Sequence, residues 1–275
     1  MDREDIKAHW TDWAKTYGTS LRATTKTSTA KMLELDALTR AFRVALGSNP
    51  PKGNVLEVGC GNGENLLHLA TVFPTLQFTG IDFIPEMIEA ATQRRAENGI
   101  PADRLKFSTG DILAPDFEAG GPYDLIFTDR CLINLSSDEL ICEALSRLCS
   151  ILAPSGQLLM IENNIQTFSQ QNWARQAVGL PARTPAAFNH FLDEAVVLPH
   201  LEDACAMEIV AVEDFISLHD LVLYVLLPAI SDGKIDYEHP LVELAARLNV
   251  AISNEKTNAL GSFGQNRLYH CRKLN

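Results

Sequence analysis

Three observations predict an α/β fold built on a largely parallel sheet with helices on both faces. Strands alternate with helices from residue 54 onward, a glycine-rich loop follows the first of those strands, and carboxylates end the next two. The 275 residues are 46% hydrophobic and 21% charged, a composition that buries a core and argues against disorder. With no internal repeat and no low-complexity linker, residues 1–275 are expected to form a single domain with insertions.

A helix is predicted over 4–17, because Ile6, Trp10, Trp13, Ala14 and Tyr17 recur at three- and four-residue steps before Gly18 stops it. A second runs over 28–46 and ends at Gly47, and the Pro50-Pro51-Lys52-Gly53 turn closes this helical cap, residues 1–50. The core is expected over 54–165. Its strands are 54–58, 76–81, 104–108, 123–128 and 157–162, separated by helices at 64–72, 85–98 and 137–152. Residues 166–205 carry Pro181, Pro185, Pro199 and several aromatics, which suit a lid rather than core. Within the C-terminal part, 206–275, strands at 207–213 and 264–273 bring the sheet to seven. The insertion between them, 214–263, holds helical patterns at 218–230 and 239–250 and is expected over the ligand edge or at a subunit contact.

Charge narrows the partners. Lys and Arg number 23 against 35 Asp and Glu, a net charge of -12, which repels phosphate backbones and excludes nucleic acid as the expected partner. The six cysteines, at 60, 131, 142, 149, 205 and 271, make no C-x-x-C pair and no zinc-ligand spacing with the seven histidines, so no metal is expected. Scattered thiols fit a reducing, cytoplasmic setting. The longest apolar run, 221–230, is too short to cross a bilayer. The expected partner is a small-molecule substrate, with no membrane; a homodimer stays open.

The chemistry is read from the strand ends, where ligands of such sheets bind. Gly59-x-Gly61-x-Gly63 follows a strand and opens a helix, and glycines there let backbone approach a ligand. Glu57 lies two residues before the first glycine. A carboxylate at that place suits a ligand bearing an ammonium and opposes the pyrophosphate of a nicotinamide cofactor. Asp82, 23 residues after Gly59, can accept both hydroxyls of a ribose or cap the helix that Pro85 opens. Gly110-Asp111-Ile112 suits an adenine, with the carboxylate on the exocyclic amine and Ile112 over the ring; a turn-stabilising Asp is the alternative.

VLEVGCGNGENL (55–66), FTGIDFIPEMIEAA (78–91), STGDIL (108–113), YDLIFTDRCLINL (123–135) and LAPSGQLLMIEN (152–163) resemble the successive motifs of class I S-adenosylmethionine (SAM) dependent methyltransferases. The resemblance implies a Rossmann-like seven-stranded methyltransferase sheet with a helical cap and lid insertions, using SAM and releasing S-adenosylhomocysteine (SAH). It implies that Glu57, Gly59 and Gly61 line the methionine part of the cofactor. Asp82, with Phe83 beside it, would take the ribose, and Asp111 with Ile112 the adenine. Thr128 and Asp129 would lie near the sulfonium and the incoming substrate. Trp13-Ala14-x-x-Tyr17 is similar to a W-x-x-x-A-x-x-Y pattern of several small-molecule members, which implies that Tyr17 reaches the methionine portion. The sequence departs from the common pattern at Asp129-Arg130-Cys131-Leu132 and in the large insertion before the last strand.

The function so implied is methyl transfer to O, N or C of a small biosynthetic molecule. A sugar or glycan-precursor methyltransferase is the alternative, with the stretch 24–31 as its pointer; a non-catalytic SAM-binding accessory subunit is the alternative of another class. A hydroxyl nucleophile needs a proton acceptor. His190, among the aromatics of 188–191, is the candidate base or a residue packed under the lid. Arg130 is a candidate clamp for an acidic substrate, or else half of a salt bridge to Glu162 or a nearby helix. His219, beside Asp220, shows no metal-ligand spacing.

Overall fold

The computed structural model describes residues 3–48, 50, 52–115, 117, 120–254 and 261–275; the remaining parts of the expected cap and insertion lie outside the described residues. Seven strands form one sheet in the order β3-β2-β1-β4-β5-β7-β6. They are β1 Asn54–Val58, β2 Gln77–Asp82, β3 Leu105–Thr109, β4 Tyr123–Asp129, β5 Leu152–Asn163, β6 Met207–Glu213 and β7 Asn266–Lys273. The first five run parallel, with Val55 opposite Phe78 on one side and Leu125 on the other. β7 inserts antiparallel between β5 and β6, with His270 facing Leu159 and Ala211.

The parallel strands are covered on both faces, as crossover helices require. Helices α2 (Ser28–Leu46), α3 (Glu64–Val72) and α10 (Pro240–Asn254) contribute to a core with Leu38, Phe42, Leu66, Leu69, Phe127 and Ala246. On the other face α5 (Asp138–Ser150) and α7 (Glu194–Asp203) bury Leu145, Leu148, Val197 and Leu201 against Ile126 and Leu158. Each fully buried Leu of this kind contributes about 1.5–3 kcal/mol before conformational entropy is counted. Helix starts follow local chemistry: Thr27 Oγ1 accepts from the Thr29 amide at the head of α2, and Ser137 Oγ from Leu140 at the head of α5.

The structure changes three sequence expectations. The fifth strand is longer than 157–162, because Leu152 already pairs with Tyr123 across an irregular register; the helix before it therefore ends at Ser150. Residues 166–205 are not a lid throughout. Helix α6 (Ile165–Ala177) buries Phe168, Gln171 and Ala174, α7 belongs to the core, and only the segment about 183–191 crosses the ligand edge. The insertion does reach that edge: α8 (Ser217–Leu221), a π turn over Val222–Leu226, α9 (Leu227–Ile230) and α10 place His219, Asp220 and Tyr224 on it. Among the described residues no helix is long and apolar enough to cross a membrane.

Candidate active site

The carboxyl ends of the parallel strands open into a cavity of about 560 Å³, a size that holds small organic ligands. The glycine loop forms its floor. Gly59 and Gly61 have φ of +74° and +51°; a Cβ on Gly59 would collide with Cys131 Sγ, and one on Gly61 would meet Thr24 Cγ2 at 2.6 Å. Side chains are excluded here, so backbone lines the wall. Asp82 shapes the same loop by accepting from the Gly61 amide at 2.8 Å and the Ile84 amide at 2.9 Å. Burial pushes its carboxyl up to about 6, against those two amides.

Beneath the loop lies a buried charge cluster. Lys31 Nζ bridges Asp129 at 2.8 Å and Glu34 at 2.5 Å, and bonds Asn65 Oδ1 at 3.2 Å. Arg130 Nε pairs with Glu34 at 2.9 Å, and its Nη2 donates to the Thr24 carbonyl. Asn65 Nδ2 donates to Glu57 Oε1 and to Asp129 Oδ2. Burial favours the neutral amine of Lys31, but Asp129 and Glu34 hold it above its ordinary value. Burial likewise opposes ionisation of Asp129, and Lys31 and Arg130 overcome it, keeping that carboxyl below the usual range. Glu57 lacks such a contact: burial drives it up to about 8 despite Asn65, and its Oε2 has no hydrogen-bond partner. An unpartnered carboxyl oxygen below a glycine cradle fits a ligand that brings a cation.

The cap closes over this floor. Helix α1 (Arg3–Tyr17) stacks His9 on Phe188 with ring centroids 4.3 Å apart, and Trp10 Nε1 donates to Asn134 Oδ1. Arg3 forms an ion pair with Asp111.

The expected site residues divide into two groups. Gly59, Gly61, Asp82, Phe83, Asp111 and Ile112 line the cavity, as do Asp129 and Arg130. Glu57 lies fully buried behind the lining. Thr128 faces the sheet interior and donates to Glu162 Oε1. Tyr17 packs on Trp13, with the Arg22 guanidinium 5.4 Å from its ring centroid, and does not line the cavity. Arg130 does not pair with Glu162. That carboxylate instead accepts the amides of Cys131, Leu132 and Ile133 and shapes the turn after β4. Arg130 itself has φ +53°, a conformation costly for a side chain with Cβ, held by its amide on the Ile161 carbonyl and its head on Glu34.

His190 is misplaced for a base. Its amide bonds the Ile133 carbonyl and its Nε2 meets Asp138 Oδ1 at 3.0 Å, so the ring turns to the head of α5 and does not line the cavity. Of the two described histidines that do, His9 stacks on Phe188 in the cap and His219 is paired with a carboxylate. His219 Nδ1 lies 2.9 Å from Asp220 Oδ1, and Asp220 Oδ2 is fixed by the Gln265 amide at 2.8 Å. Asn249 Oδ1 accepts the amides of Leu218 and His219 and locks the ring's backbone. With Nδ1–H on Asp220, Nε2 presents its lone pair toward Thr29 Oγ1 at 3.0 Å, and Thr29 Oγ1 meets Thr27 Oγ1 at 2.6 Å. Lys31 and His219 were both missed as site residues; the adjacent Asp220 was the only local signal for the second. Among the described residues no group of three or more His, Cys, Asp or Glu could hold a metal ion.

The strand order, with its one antiparallel insertion, and a glycine loop flanked by strand-end carboxylates define the fold class of class I methyltransferases. Comparison with known proteins agrees. A family model described as a methyltransferase domain matches residues 50–204. Demethylmenaquinone methyltransferase of Roseiflexus castenholzii is 28% identical over 176 residues, 61% of this chain and 70% of that protein. Trans-aconitate 2-methyltransferase of Deinococcus radiodurans is 28% identical over 169 residues, 54% of this chain and 60% of the other. Ajmaline N-methyltransferase of Rauvolfia serpentina is 30% identical over 112 residues, covering 41% of this chain and 36% of that enzyme. The chain thus spans about half the length of several curated relatives it matches. Among solved structures, magnesium protoporphyrin IX methyltransferase of Synechocystis with bound SAH superposes with TM-score 0.61 at 16% identity, covering 99% of this chain and 100% of that one. The chain belongs to the methyltransferase domain family, whose fold it shares with SAM-dependent enzymes.

Proposed function

We propose that this protein binds SAM at the glycine loop and transfers its methyl group to a hydroxyl of a small-molecule acceptor held in the 560 Å³ cavity. When bound, SAM supplies an electrophilic methyl on a sulfonium that departs as a neutral thioether. The residues present fit it: the Gly59 and Gly61 backbone admits the methionine part, Asp82 accepts from the ribose, and Ile112 covers the adenine. Glu57 Oε2 and Asp129 Oδ1 both lack a hydrogen-bond partner at that floor among the described residues and offer acidic atoms to a cationic ligand.

The observation that carries the hydroxyl assignment is the Asp220–His219 pair on the wall of the same cavity, linked through Thr29 to Thr27 on that wall. His219 Nε2 takes the acceptor's O–H proton, directly or across the Thr29 hydroxyl, while the oxygen's electron pair forms the new bond to carbon. Asp220 holds the ring and stabilises the imidazolium that results. Holding donor and acceptor in line can contribute roughly 7–11 kcal/mol through orientation and avoided reorganisation.

Titration calorimetry tests the cofactor reading: SAM and SAH should bind and NAD should not. Asp82→Ala should weaken SAH binding by about 1–3 kcal/mol at pH 8, because ribose hydroxyls lose a charged acceptor. The sign with pH follows from the raised carboxyl. Its folded-state value of about 6 means that the ionised acceptor disappears as pH falls through 6, so wild-type affinity should drop there and the Asp82→Ala deficit should shrink by pH 5. A deficit that stays constant across that range, or none at all, reduces Asp82 to a loop-shaping residue.

Closure of the cap gives a separate expectation. Hydrogen exchange in 3–17 and 183–191 should slow on adding SAH, since His9–Phe188 and Trp10–Phe188 join these segments across the cavity. Protection confined to 57–112 would show that the cap stands apart from the site.

A further inference from the structure

Arg183 stands apart from the other guanidiniums of the cavity wall. Arg3 and Arg130 are neutralised there by Asp111 and by Glu34, and Arg22 sits exposed over Tyr17 at the rim. Arg183 lies deeper, half-buried, and no carboxylate pairs with it among the described residues. Its Nη1 donates to the neutral Gln171 Oε1 at 2.7 Å, and its guanidinium stacks 3.8 Å from the centroid of Tyr224. The position is built rather than incidental. Asn172 clamps the Arg183 backbone from both sides, accepting its amide at 2.8 Å and donating to its carbonyl at 3.0 Å. Gln171 is itself fully buried and fixed on the Phe263 carbonyl at 2.7 Å.

Three facts bear on what this group awaits. A planar guanidinium held on an aromatic face keeps an edge of donors free for bidentate contact with a carboxylate. Next to it Arg175 also finds only carbonyls, Pro181 and Tyr224, so the local field is doubly positive in a chain whose net charge is -12. The neighbouring Tyr224 phenol interacts with Gln265 and lies in the field of Asp220, which places the cationic corner beside the His219–Asp220 pair. The wall also carries the aromatic side chains of Trp10, Trp13, Phe188, Phe191 and Tyr237.

We infer that the acceptor is a carboxylate-bearing aromatic molecule, its carboxylate seated on Arg183 and its ring between the aromatic walls. The inference rests on the cavity being the methyl-transfer site. It adds charge selection: the cation steers acids into an otherwise acidic protein and sets how far the hydroxyl stands from His219.

The probes are the three hydroxybenzoate isomers and their matched hydroxybenzamides, read by saturation-transfer NMR with and without SAH. At least one acid should bind about tenfold more tightly than its amide, a typical gain from a charge-assisted contact. Arg183→Gln should erase that preference and leave SAH affinity unchanged by calorimetry, while Arg183→Lys should keep part of it. Equal binding of acid and amide overturns the inference. So does a preference that survives Arg183→Gln, or failure of every acid to bind at about 1 mM. Because charge preference is read without turnover, absent SAH binding sinks the methyltransferase reading by itself, and absent acid preference sinks this one by itself.

Discussion

His219→Ala should lower turnover by about 10²–10⁴-fold, the usual contribution of a positioned base, and leave SAH affinity within a factor of about two. In barrier terms this is about 2.7–5.5 kcal/mol. The size follows from the wiring of the ring. Asp220 takes Nδ1–H and is itself fixed by Gln265, while Asn249 holds the backbone of the same turn. The imidazole is therefore oriented before substrate arrives. Asp220→Asn should reproduce most of the loss, since an amide no longer enforces the Nδ1–H tautomer or stabilises the imidazolium. His190→Ala serves as the control and should change turnover little, because that ring bonds Asp138 outside the cavity. A loss below about tenfold for His219→Ala would remove the base. Methyl transfer to an amine or an activated carbon, which proceeds by placement alone, would then be the better reading.

What could be read in advance was what is local. The glycine loop, Asp82 and Asp111 each sit at a strand end that the alternation of elements locates, so the edge that holds the cavity was legible from spacing. The helices of the cap and the positions of the strands along the chain were legible for the same reason, while the spatial order of the strands was not. What failed depends on partners distant in the chain. Lys31 lies in an amphipathic helix, where a lysine is ordinarily solvated; it is buried because Asp129, 98 residues later, meets it. His219 becomes a candidate base only because α8 packs at the head of α2 and brings it to Thr29, 190 residues earlier. For Arg130 the alternative of a salt bridge to a nearby helix holds, with Glu34 of α2 as the partner, and only the choice of Glu162 fails. His190 was singled out for its aromatic neighbours, yet one backbone bond to Ile133 turns the segment so that Asn189, not His190, lines the cavity. The segment 166–205 misled through its prolines: Pro181 and Pro185 mark the crossing between two packed helices, and Pro199 sits inside the second of them.

Lys31→Met should destabilise the protein by about 3–5 kcal/mol, the cost of leaving buried charge without its counter-ion. The residue is 4% exposed, as close to fully enclosed as Glu34 at 1% and Asp129 at 8%. Removing the ammonium leaves two carboxylates facing one guanidinium, with Glu57 close by. Methionine fills nearly the same volume, so the effect is charge rather than cavity. At roughly 2–4 °C per kcal/mol for a chain of this size, the melting temperature should fall on the order of 10 °C. The pH dependence fixes the cause. In the wild type, Lys31 holds the Asp129 carboxyl below its ordinary value, so the pair contributes stability above the unfolded carboxyl's range and loses it as pH drops through the folded value. In the variant that constraint is gone and Asp129 can take up a proton on folding. The deficit should therefore be largest near pH 8 and shrink toward pH 5, which thermal melts in the absence of SAM would show directly. Lys31→Met with Asp129→Asn should recover much of the loss, since both members of the pair are then neutral. A single-variant deficit under about 1 kcal/mol, or a double variant no better than the single, would mean that water or backbone relaxation screens the cluster and that Lys31 is a packed methylene chain rather than the cation that balances the floor of the site.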